Sequence, residues 1–101
     1  MQETICQAIR AKRMLTVHQK TSTKTLIRVV EPYVLYPTSE GSLILESWFV
    51  AGDYEHTAPP HWCPIPFTDI TAVHMRDEPF QVHRDYNPHN TKYARARCRV
   101  R

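Results

Sequence analysis

The last nine residues, "YARARCRVR" from Tyr93 to Arg101, place arginines at every second position: Arg95, Arg97, Arg99 and Arg101. On an extended chain rising about 3.4 Å per residue, such a row sets cations about 7 Å apart on one face. That spacing suits successive phosphates of a single strand or groove. Lys92 adds charge from the same segment, Arg28 adds charge from elsewhere, and Tyr93 offers a ring on which a base stacks. These seven residues form the candidate set for binding nucleic acid or a nucleotide. Two other readings use the same strand. Its arginine face is a device against edge-to-edge aggregation, and its apolar face, Ala94, Ala96, Cys98 and Val100, suits strand addition to a protein partner or a second copy.

Other chemistry is less well served. His61 and Cys63, two residues apart, share one strand face and pair on paper as zinc ligands with His74, or as base and nucleophile. The six histidines otherwise lack H-x-x-x-H spacing, and no cysteine pair lies near them. With two glycines in the chain, backbone nests for an oxyanion or a phosphate are scarce, and neither G-x-S-x-G nor a phosphate-cradling loop occurs. The carboxylate pairs Glu40 with Glu46 and Asp53 with Glu55 lie in or beside turns and read as solvated charge. The expectation is a protein that is not an enzyme and carries neither metal nor cofactor.

Charge and cysteine usage frame these candidates. Residues 1–91 hold eight Lys or Arg against ten Asp or Glu, whereas residues 92–101 hold five and none, so the formal +3 comes wholly from the tail. Cys6, Cys63 and Cys98 are odd in number, far apart, and not preceded by a secretory leader. They imply free thiols in a reducing, cytoplasmic setting. No apolar run approaches the roughly 18 residues that span a bilayer. At 101 residues with 42% apolar side chains, the chain suits one domain with a modest core, residues 1–101, with 86–101 as a basic strand extension.

The elements that position these residues follow from periodicity. Ile5, Ala8 and Ile9 mark one face of a short leading helix that ends near Lys12 or Arg13, with Thr4 and Gln7 at capping-box spacing. A period of two then sets Leu15 and Val17 against Thr16 and His18. Leu26 to Leu35 is a second strand bent or bulged at Pro32. "PTSEG" and "SLILESWFV" make a hairpin with it. "WCPIPF" is an edge strand, because Pro64 and Pro66 remove two donors on the same side. Pairing it with "SLILESWFV" brings Trp48 and Trp62 together, and Tyr33, Tyr36, Phe49, Phe67 and Phe80 join them as core. "TDI" reads as a turn, "TAVHM" as a strand, "DYNPHN" as a loop and residues 93–101 as the final strand. The fold class is mainly β: a small barrel or strongly bent sheet of five to six strands with one short N-terminal helix.

This order resembles the WYL domain, a small SH3-like or Sm-like barrel of bacterial regulators. The resemblance is carried by "AIRAKRMLTVHQK", "RVVEPYVL", "GSLILESW" and "HWCPIPFTDIT", with "RDYNPHNTKYARARCRV" similar to an extension of short members. The naming Trp-Tyr-Leu falls on Leu43, Ile44 and Leu45. The family's Arg and Asp fall on Pro66 and Thr68, and a second Arg on Asp69. The resemblance implies a regulatory sensor of nucleic-acid or nucleotide ligands, acting alone or in trans.

Overall fold

The structure is a computed structural model and describes residues 1–101. It opens with α1 (Gln2–Ala11), which turns Ile5, Cys6, Ala8 and Ile9 into the core at the i, i+3, i+4 spacing of an amphipathic helix. The helix starts earlier than the Thr4–Gln7 capping box required. Met1 takes the N-cap position with no side-chain hydrogen bond, and Glu3 in the first turn faces the positive end of the helix dipole. Lys12 ends it in a left-handed conformation (φ 54°), its amide donating to the Ala8 and Ile9 carbonyls.

Five strands follow in one antiparallel path: β1 (Arg13–Lys20), β2 (Thr25–Pro37), β3 (Leu43–Gly52), β4 (Trp62–Pro66) and β5 (Ile70–Pro79), in spatial order β4-β3-β2-β1-β5. The register of β2 on β3 shifts between Pro32 and Val34, where the proline withholds its ladder donor. β4 is an outer strand, as its two prolines demand, and its register sets Trp48 opposite Trp62. β4 and β5 occupy opposite ends of the path and do not pair, so the sheet is not closed into a barrel. Yet a single 3-10 turn, Phe67–Asp69, links Pro66 to Ile70. Five strands laid flat spread about 19 Å, more than those four residue steps reach at about 3.5 Å each, so the sheet must bend strongly.

The final strand is the main departure from the expected elements. Instead of a strand over residues 93–101, the tail forms a 3-10 turn (Thr91–Tyr93), further turns, and β6, which is only Cys98–Arg99. β6 pairs with Val34 and Leu35 on the edge of β2 that β1 leaves free. Flanking bonds from Arg97 N to Leu35 O and from Val100 N to Tyr33 O extend the docking. Ala94 is exposed, whereas Cys98 and Val100 are buried, so the expected apolar face of four survives only in its second half. Alternation alone did not make a strand because only part of the β2 edge was vacant to pair with it.

A second correction concerns sulfur. Cys6 on α1 and Cys98 on β6 form a disulfide, leaving the buried Cys63 as the free thiol. The premise of three free thiols, on which a reducing setting rested, therefore fails. The two cysteines are 92 residues apart in sequence and meet because β6 returns to the sheet beside the helix. No helix is long and apolar enough to cross a membrane.

Candidate anion-binding site

Where α1 ends and β6 begins, the disulfide holds two basic segments against one another. Arg10 from the last turn of α1 and Lys12 from its C-cap face Arg97, Arg99 and Arg101 across a concavity of about 470 Å³ in which Cys98 lies. Five cationic side chains line it and no Asp or Glu does. The helix end contributes an opposing partial charge of about half a unit, partly quenched by the Lys12 amide, which is small against five full charges. Such a lining carries the charge complementary to a phosphate or another anion.

The expected site residues divide among several places. Arg97, Arg99 and Arg101 share this concavity. Arg99 is partly anchored, its Nη1 donating to the carbonyls of Pro88 and Tyr93, both at 3.2 Å. Arg95 and Lys92 line a different hollow with Tyr36, Pro37 and Ser39. Lys92, half exposed, also engages the protein, its Nζ lying 3.7 Å from Glu46 Oε2 and over the rings of Tyr36 and Tyr93. Tyr93 is 6% exposed and packs edge-on against Tyr36, so its ring faces protein rather than solvent. Burial pushes its hydroxyl well above the ordinary tyrosine range.

Arg28 lies in the sheet, away from the tail. It is buried, lies over the Phe49 ring, and donates to Asp53 O at 2.9 Å, Gln19 Oε1 at 3.2 Å and Cys63 Sγ at 3.6 Å. Cys63 itself is held protonated: burial raises its pKa and outweighs the nearby Arg28 guanidinium. A thiolate nucleophile is not what that environment produces.

Arg10 and Lys12 escaped the sequence reading, although "RAKR" at the end of the helix is a basic cluster. What was hidden is that α1 and the tail are neighbours. Glu46 was also misplaced, being buried rather than solvated. It follows Leu45 on β3, where three successive residues, Leu45, Glu46 and Ser47, are buried. One face packs on the core and the other is covered by the segment after β5.

That covering segment carries a second polar cluster. His83 Nε2 lies 2.9 Å from Glu31 Oε1, and its backbone amide donates to Tyr33 Oη at 3.0 Å. The His83 ring stacks on Trp48 at 3.7 Å between centroids, and His61 stacks on Trp48 at 4.5 Å. Burial, opposed by the His83 amide, pushes the Tyr33 hydroxyl up to about 12. The cluster ties residues 80–86 down across the sheet. His61 is thus engaged with an indole, and Cys63 with Arg28.

Comparison with family models, with curated proteins and with solved structures finds no match.

Proposed function

We propose that the chain is a non-enzymatic regulatory module that binds nucleic acid or a nucleotide through the basic concavity between α1 and the tail. The observation that carries the reading is the lining itself: Arg10, Lys12, Arg97, Arg99 and Arg101 without an acidic neighbour among the lining residues. A protein with ten carboxylates could have neutralised that cluster at little cost. The leading helix, the bent five-stranded path and the one-turn link between β4 and β5 support a small barrel-like scaffold of WYL type.

The competing idea, that the last strand adds to a partner's sheet, has less support. Cys98 and Val100 are already buried in this chain's own core, and β6 already pairs with β2. The test is fluorescence anisotropy of a labelled single-stranded oligonucleotide across a salt series. Five phosphate contacts predict a log-log slope of about −3.5 for a single strand. An Arg97→Gln/Arg101→Gln variant is expected to reduce the slope by about 1.4. Binding that ignores both salt and this substitution would overturn the reading.

A further inference from the structure

Glu46 on β3 is a buried carboxylate that lacks one of its partners. Its side chain is 9% exposed, and its Oε1 is buried without a hydrogen-bond partner. Buried carboxylate oxygens seldom stand alone, because an unmade bond costs the full desolvation of the group. Burial raises the Glu46 pKa, and Lys92 and the Ser47 amide offset only part of the effect. Glu46 also lines a cavity of about 290 Å³ whose other walls include Trp62, Asp85, Tyr86, Lys92 and Tyr93. Three aromatic rings, the underused acceptor and the polar side chains of Asp85, Asn87 and Asn90 line a hollow with room for a nucleobase and part of its sugar.

The occupant follows from which lone pairs are open. Lys92 stands near Oε2 at 3.7 Å and already balances the carboxylate charge. Glu46 and Asp85 together outnumber that ammonium, so an anionic guest is disfavoured, and a neutral one that donates a single N–H to Oε1 brings no charge to compete with the Glu46–Lys92 pair. Rotation about the terminal bond of a glutamate is soft, so the carboxylate can turn Oε1 towards the cavity, with Oε2 moving alongside it and the half-exposed Lys92 ammonium free to follow. Trp62 and Tyr86, both partly exposed, supply apolar surface for a flat ring.

We propose that this cavity is a binding site for a neutral, amino-substituted nitrogen heterocycle of nucleobase size, with Glu46 Oε1 accepting from the exocyclic amine. The site is separate from the basic concavity and requires no phosphate, so it stands or falls independently of the reading above.

The experiment titrates the intact chain with adenosine and with purine riboside, the same nucleoside lacking the amine, and follows backbone amide shifts by NMR. Adenosine is expected to bind about tenfold more tightly, the worth of one hydrogen bond to a charged acceptor, with shifts centred on Trp62, Tyr86 and Tyr93. Glu46→Met keeps the side-chain length and removes the acceptor. It is expected to bring the two nucleosides to equal affinity while the rest of the spectrum remains that of the folded chain. Equal binding of both ligands to the unaltered chain, shifts centred elsewhere, or no saturable binding of adenosine would each overturn the proposal. The ligand comparison needs no variant, so a folding defect in Glu46→Met does not shelter it.

Discussion

Two regions of the molecule hold their shape by different means. In residues 13–79, backbone ladders do most of the holding: β2 pairs with β3 along nine register positions and with β1 along six. In residues 80–101 the ladder shrinks to two positions, and side chains take over. Phe80, Tyr93 and Val100 are buried, His83 reaches Glu31, the Tyr86 hydroxyl donates to Val100 O at 2.9 Å, and Cys98 is crosslinked to Cys6. The lesson is that a segment with little secondary structure can still be fully specified, provided that its anchors are spaced every few residues.

Breaking the crosslink should have the largest effect on this contrast. In the chain-entropy treatment, a loop of this length stabilises by about 4–5 kcal/mol. Cys98→Ser is therefore expected to lower unfolding stability by that order in urea titrations under oxidising conditions, and to match wild-type protein treated with a dithiol. Tyr93→Ala comes next, at about 3–4 kcal/mol for a buried aromatic ring. If the tail is held by anchors rather than by its ladder, hydrogen exchange should quicken in residues 80–101 and stay slow in β2 and β3.

Gly52→Ala tests the ladder region. Gly52 has φ +114°, and an added Cβ would lie 2.4 Å from Ile27 O. A loss of about 2–3 kcal/mol is expected, with exchange quickening where β2 meets β3 and not in the tail. Glu46→Gln is the smallest and the sharpest in pH. The folded-state pKa of Glu46 is raised by burial, so its contribution is fully present below its unfolded value and is lost as pH rises through the folded value. Thermal melts should show the variant gaining on wild type at pH 8, with the gain closing at pH 4. A constant difference across that range would mean that Glu46 does not titrate as a buried group.

How much was legible in the sequence divides along the same line. Period-two patterning exposed β1, runs of β-forming residues between turn signals exposed β2, β3 and β5, and the prolines at 32, 64 and 66 located the bulge and the outer strand, because these signals are local. The cross-strand meeting of Trp48 and Trp62, 5.2 Å apart at the ring centroids, followed from pairing two adjacent strands. The tail was misread because alternation describes a chain's willingness to be a strand, while pairing depends on which edge is vacant. The site was half legible for the same reason. Arg97, Arg99 and Arg101 announced themselves, whereas Arg10 and Lys12 joined them only through a contact between the two ends of the chain. Glu46 gave no local sign of burial, since residues from the far side of the molecule cover it.

The Cys6–Cys98 bond also has a mechanical meaning. It closes residues 6–98 into one covalent ring. A pull applied to the chain on either side of that ring would load sulfur, leaving the sheet inside the ring unstretched. With the bond reduced, the same pull would peel β6 from β2 and only then reach the strands beneath.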